Sequence, residues 1–305
     1  MSIRPGDEKG PEVWADSAAA ILTIKPKPRD LGGGFAVKRA LPAIEKRMVG
    51  PFIFWDEFGP AHFAAGEGLD VRPHPHVNLA TVTYLFAGEI FHRDTLGSAQ
   101  VIKPGDVNWM NAGRGIAHSE RTAPELRQTG SPIAGIQSWV ALPEAHEESE
   151  PSFVHHAEHE LPLVEENGKS VRVIAGKLYG KASPAQTYSE MFYADVRLEP
   201  GAALPLDADY EERGLYLVSG EIEIAGDVFQ PGRLLVLRPG DAMTVRAVTP
   251  ARFMALGGAN LGPRHIWWNF VSSRKERIEQ AKEDWRAGRF GTIPGDDKEF
   301  IPLPE

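Results

Sequence analysis

Thr83-Tyr84-Leu85-Phe86-Ala87-Gly88-Glu89-Ile90 reads as a strand, a tight turn and the opening of the next strand. Aromatic and β-branched residues suit a pleated surface, and Ala-Gly-Glu supplies the turn. The pattern returns as Leu215-Tyr216-Leu217-Val218-Ser219-Gly220-Glu221-Ile222. A second turn follows each copy, Lys103-Pro104-Gly105-Asp106 matching Gln230-Pro231-Gly232-Arg233. A chain of 305 residues can hold two such units, each with its own core, and they divide it into 1–150 and 151–305. Glycine (31) and proline (25) punctuate short apolar runs throughout, which predicts an all-β chain of sandwich or barrel type. Helix signals come only near the end. Ser273-Arg274-Lys275-Glu276 has the form of a capping box, Ile278, Ala281 and Trp285 recur at helical spacing, and Gly288 supplies a stop. One amphipathic helix is expected over 274–287.

The first unit holds the candidate chemistry. His74-Pro75-His76 and His118-Ser119-Glu120 bracket its strand-turn pattern. On a strand, residues two apart point to the same face, so each segment offers two ligands on one side. Three imidazoles and a carboxylate suit a divalent ion such as iron, nickel, copper, manganese, zinc or cobalt and leave positions open. Projecting His74 and His76 through the repeat gives Leu206 and Ala208; projecting His118 and Glu120 gives Val245 and Ala247. None of these can ligate through its side chain, so the second unit is expected to be metal-free.

Several other residues bear on the site. His92 is read as a neighbour of the site rather than a ligand, and Trp109 and Met110 as core or pocket wall. Gly113 and Gly115 are read as letting the chain come close to the ion, as forming an ordinary tight turn, or as both. Arg114 is either a solvated turn residue or a rim cation, and His62 is placed in a loop. The acidic run Pro143 to Pro151 reads as a solvated connector, and His155-His156-Ala157-Glu158-His159-Glu160 as its charged continuation.

Composition narrows the function classes. A formal charge of −9 argues against capture of nucleic acid or anionic lipid. The absence of cysteine removes disulfides, thiolate ligands and a cysteine nucleophile. Met1–Glu8 is polar and broken by Pro and Gly, unlike a secretory signal, and no window reaches membrane-spanning length, so a cytoplasmic location is expected. No nucleophile elbow or dinucleotide-binding glycine pattern is present.

The stretch from Arg72-Pro73-His74-Pro75-His76 to Ser119-Glu120-Arg121 resembles the pirin family of the cupin superfamily. The resemblance runs through Thr81 to Gly88, His92-Arg93-Asp94-Thr95-Leu96-Gly97, Pro104 to Met110 and Ala112 to Glu120. Gly262-Pro263-Arg264-His265-Ile266-Trp267-Trp268-Asn269-Phe270-Val271-Ser272-Ser273 looks like the ending of the longer bacterial members. The resemblance implies a bicupin, two antiparallel jelly-roll barrels face to face with metal in the N-terminal barrel only. It implies iron(II) held by His74, His76, His118 and Glu120. Some members open flavonols such as quercetin with dioxygen; others act as iron-dependent regulators through a protein partner. Three functions therefore stand at this stage: a dioxygenase with Glu120 as ligand and general base, a redox-dependent regulatory binding protein, and a metal-dependent isomerase or hydrolase. A monomer is compatible with one barrel already covering the other. Many relatives carry Glu where this chain has Ala80, which weakens the transfer of activity more than that of the fold.

Overall fold

The computed structural model describes residues 21–30 and 36–305; the N-terminal segment Met1–Glu8 lies outside the described residues. Strands dominate, and they form two barrels, each a large sheet facing a four-stranded one. In the first barrel the central strands of the large sheet run Val107–Asn111, Leu79–Ala87, Ser131–Ala141, Phe52–Phe63. In the second they run Arg233–Leu237, Glu212–Ser219, Ala251–Gly258, Met191–Leu198, the same order. The small sheets correspond too. Asp70–His76, Ile116–Arg121, Ile90–Asp94 and Ala99–Ile102 match Ala203–Leu206, Met243–Ala247, Ile222–Ile224 and Asp227–Phe229.

The repeat seen in the sequence has a physical basis at each matched position. Gly88 and Gly220 both have positive φ, and a Cβ on either would lie 2.1 Å from a carbonyl oxygen, that of Pro132 or Pro250. No other residue fits there without backbone movement. The second turns match as well: Gly105 N–H donates to the Leu85 carbonyl and Gly232 N–H to the Leu217 carbonyl. Tyr84 and Tyr216 cross the junction reciprocally. The Tyr84 hydroxyl donates to Asp195 at 3.1 Å and the Tyr216 hydroxyl to Glu57 at 3.0 Å.

Between the barrels lies a shared core that includes Trp55, Trp109, Tyr84, Tyr193, Tyr216 and Met254. The strands around it are buried on both faces, which is why Phe52–Trp55 reads as a continuous apolar run rather than an alternating one. Ala80 belongs to this cluster with Val82, while Leu79 and Leu85 face the interior of the first barrel. A side chain at position 80 therefore points toward the other barrel and not toward the candidate metal ligands. The Ala80 departure leaves the metal-facing wall unchanged.

Both ends of the described chain cross over. Ile21–Ile24 pairs with Arg233–Leu237 at the edge of the second barrel's large sheet. The C-terminal hairpin His265–Trp267/Phe270–Ser272 and the tail pack on the first barrel, with Val77 bridging Phe270 and Ile301 N–H donating to the Pro73 carbonyl. The helix spans Lys275–Arg286 and buries Ile278 and Ala281. No described helix is long and apolar enough to cross a membrane.

Three sequence readings are corrected here. The capping box does not form: Arg274 is the N-cap, without a side-chain cap, and the Ser273 hydroxyl donates instead to Glu147. The run 143–151 is not simply solvated, because Glu147 is buried. Its carboxylate accepts from Ser272 and Ser273 hydroxyls and the Ser273 N–H, and it faces Arg264 Nε at 3.3 Å. His155 and His156 are on the edge strand Ser152–His156, where His155 Nδ1 meets Asn108 Oδ1 at 2.8 Å.

Candidate metal centre

Asp70–His76 and Ile116–Arg121 are neighbours in the small sheet, with His118 directly opposite His74. Strand alternation turns His74, His76 and His118 to one face and Pro73, Pro75, Ala117 and Ser119 to the other. All three rings are buried, and their ligand nitrogens lie within 4.8 Å of one another. Glu120 is on the same strand as His118 and is also buried, but it stands outside that tight group. Its Oε1 accepts from the Thr83 hydroxyl at 3.2 Å, and the same hydroxyl lies 2.9 Å from Gln137 Oε1. A hydroxyl has one hydrogen, so Thr83 serves one of these partners at a time.

Two observations test whether these residues fit a cation. His74 Nδ1 faces the Arg72 carbonyl at 2.8 Å, an acceptor only, so in the neutral ring Nδ1 carries the hydrogen. His74 Nε2 is then a bare lone pair, and it is buried without a partner. His76 Nε2 and His118 Nε2 stand 3.1 Å apart. Two nitrogens bound at about 2.1 Å and at right angles to one ion would be about 3.0 Å apart. The donor set fits a divalent metal.

Electrostatics agree. Burial, with the neighbouring imidazoles adding to it, holds His74, His76 and His118 well below the ordinary value of 6.5. Neutral rings are the form that ligates. In the metal-free protein the unfolded chain takes up protons at these histidines below about pH 6.5 while the folded chain resists them, so stability falls as pH falls. Each histidine contributes up to about 1.4 kcal/mol per pH unit. Urea unfolding of the metal-free protein at pH 7.5 and 5.5 is expected to show this decline, and His118→Ala is expected to shallow it. A flat profile would mean that the rings are not held neutral.

The remaining candidates separate cleanly. His92 faces the back of His118, with Nδ1 to Nδ1 at 3.4 Å, and stacks on Phe153. Trp109 packs between the barrels, and Met110 in a small cluster with Ile116 and Phe153. Arg114 is an exposed residue paired with Glu150, and His62 is exposed on the strand Phe52–Phe63 rather than in a loop. Packing accounts for Gly113 and Gly115. A Cβ on Gly113 would strike the Ser149 carbonyl at 2.0 Å, and one on Gly115 the Phe290 ring at 2.8 Å. In the second barrel Leu204 pairs with Val245 and Leu206 with Met243, so Leu204 and Leu206 occupy the places of His74 and His76. Ala208, expected as the counterpart of His76, is exposed beyond the strand. Leu204, Leu206, Val245 and Ala247 fill an aliphatic core, with no ligand among them.

Sequence reasoning missed Asp94, whose Oδ2 meets His92 Nε2 at 3.0 Å. Its only signal was the period-two spacing of His92 and Asp94.

Comparison with known proteins places the whole arrangement. The Pirin family model matches residues 34–140, and the pirin C-terminal cupin domain model matches 193–291. A pirin-like protein of Caulobacter vibrioides is 50% identical over 93% of this chain and 99% of its own length. A quercetin 2,3-dioxygenase of Acinetobacter baumannii, solved by crystallography, superposes with a TM-score of 0.86 at 33% identity, over 93% of this chain and 95% of that one. A second structure of a quercetin 2,3-dioxygenase from that organism gives 0.82 at 28% identity, over 88% and 97%. With both family models matched in order and half the residues shared with a full-length relative, this chain belongs to the pirin family.

Proposed function

We propose that this pirin is an iron(II)-dependent dioxygenase that opens the ring of a flavonol such as quercetin. The observation that carries the reading is the set of three buried, neutral imidazoles whose nitrogens converge, with buried Glu120 on the same strand as His118. Likeness to the Acinetobacter baumannii quercetin 2,3-dioxygenase supports the substrate class. His74, His76 and His118 hold the metal, and Glu120 completes the donor set. Chemistry belongs to the 1–150 unit, and the 151–305 unit serves as its scaffold. Iron(II) supplies a Lewis acid that favours the ionised flavonol and a centre for dioxygen.

The protein's own contribution is positional. Trp139, edge-on to His76 at 5.2 Å and stacked on Phe54 at 4.1 Å, fixes one wall. Glu120 takes the proton of the flavonol 3-hydroxyl. The Thr83 hydroxyl lies 3.2 Å from Glu120 Oε1 and 2.9 Å from Gln137 Oε1, so it can donate to either side chain. The direct test is oxygen consumption by anaerobically iron(II)-loaded protein on adding quercetin. Uptake that depends on the flavonol is expected; no uptake with iron bound would remove the reading. Glu120→Gln, with metal content checked, is expected to lower kcat by about 10²–10⁴-fold. Unchanged turnover would remove the base role.

A further inference from the structure

We propose that Asp94 and His92 are positioning residues that fix the tautomer of His118 and so keep its Nε2 free for metal. The proposal rests on the reading of His118 as a ligand. It does not depend on which reaction the metal serves.

The chain of hydrogen bonds has a direction set by chemistry. Asp94 Oδ1 accepts the Leu96 N–H at 2.9 Å and the Ser98 N–H at 3.0 Å. Those two donors lock the carboxylate, which leaves Oδ2 facing His92 Nε2 at 3.0 Å. A carboxylate only accepts, so His92 Nε2 carries a hydrogen. In the neutral ring His92 Nδ1 is then an acceptor, and it faces His118 Nδ1 at 3.4 Å. His118 thus places its hydrogen on Nδ1, and its Nε2 lone pair points toward His76 Nε2. Phe153, stacked on His92 at 4.3 Å and 11°, holds the ring plane. His74 reaches the same tautomer by a different route, through the Arg72 carbonyl.

The second barrel supports a functional link. There the strand positions opposite Val245 and Ala247 are Ile224 and Ile222. In the first barrel the corresponding positions, opposite His118 and Glu120, are Asp94 and His92. Where the ligands are aliphatic, the relay is aliphatic as well. A polar pair needed only for barrel stability has no reason to disappear together with the ligands.

Asp94→Asn is the discriminating substitution because it is isosteric. The Leu96 and Ser98 N–H groups retain an oxygen at Oδ1, so the amide NH₂ takes the place of Oδ2 and donates to His92 Nε2. His92 then carries its hydrogen on Nδ1, His118 Nδ1 becomes the acceptor, and a hydrogen moves onto His118 Nε2, the ligating atom. Outer-sphere partners of this kind change metal affinity by about 10–100-fold.

The experiment has two parts. In metal-free wild-type protein with ¹⁵N-labelled histidine, nitrogen shifts are expected to show His118 protonated at Nδ1 and bare at Nε2. In Asp94→Asn the assignment is expected to reverse. Nickel(II) titration is expected to show a 10–100-fold loss for Asp94→Asn and for His92→Phe. His92→Asn, which keeps an acceptor near the Nδ1 position, is expected to bind within a few-fold of wild type. A hydrogen on Nε2 of His118 in the wild type overturns the proposal without any variant, as does a doubly protonated His92. Wild-type nickel affinity in a folded Asp94→Asn protein also overturns it. Absence of quercetin turnover alongside the expected tautomer and affinity results would remove the dioxygenase reading and leave the relay standing.

Discussion

His118→Ala is expected to abolish metal binding while the protein remains folded. His118 shares the tight nitrogen group with both His74 and His76, so its loss leaves two imidazoles and a carboxylate that stands outside the group. Losing an outer-sphere partner costs about 10–100-fold in affinity, and losing a ligand costs more, at least about 10³-fold, or about 4 kcal/mol. The fold should tolerate the change. The deleted ring is surrounded by other imidazoles rather than by tightly interlocked aliphatic chains. Its main casualty is the hydrogen bond to His92, worth about 1 kcal/mol. Calorimetric titration with nickel(II), beside a thermal melt of the metal-free proteins, measures both quantities. Binding within tenfold of wild type would exclude His118 from the ligand set.

Glu147→Ala is expected to lower stability by about 3–5 kcal/mol, the usual result of removing one partner from a buried charge pair. Glu147 sits at a junction of three segments. It faces Arg264 and accepts from Ser272, the Ser273 backbone and the Ser273 hydroxyl. Without it Arg264 keeps its bonds to the carbonyls of Leu261 and Leu142 but loses its counter-charge. A nearby residue supplies the control. Glu150 is exposed and pairs with the exposed Arg114, so Glu150→Ala should cost no more than about 1 kcal/mol. Denaturant unfolding of both variants tests the contrast, and equal effects would show that burial of Glu147 does not matter.

The two barrels and the aliphatic residues at the second barrel's matching positions were legible because they rest on short-range rules. A turn that admits only glycine marks Gly88 and Gly220, and strand parity puts His74 with His76. The repeat projection was two residues out on one strand, giving Leu206 and Ala208 where pairing gives Leu204 and Leu206. A slip of two keeps the face, so the matched positions are still aliphatic. What could not be read depends on contacts distant in sequence. Asp94 acquires meaning only when sheet register sets it opposite His118. Glu147 looks like any acid in a charged run until Ser272 and Ser273 arrive from the far end of the chain. The same serines spoiled the capping box, because a buried carboxylate is a better partner for the Ser273 hydroxyl than a free helix amide. Ala80 faces the other barrel, which residue spacing alone does not reveal.

The crossed ends impose an order on how the protein is made. At about 5–20 residues per second, residue 301 follows residue 121 by about 10–35 s during synthesis. Through that interval the outer side of the sheet that carries His74, His76 and His118 lacks the cover that later comes from Phe290 against Gly115, Ile301 on Pro73 and Asp296 on Arg121. Meanwhile Ile21–Ile24, already made, waits for a partner strand that begins only at Arg233. The nascent chain thus carries an unmatched strand and a half-dressed barrel at once, both open to capture by a neighbouring copy on the same message. The second barrel has its last strand once Ala251–Gly258 is made, so the first barrel, begun earlier, is the last to be covered.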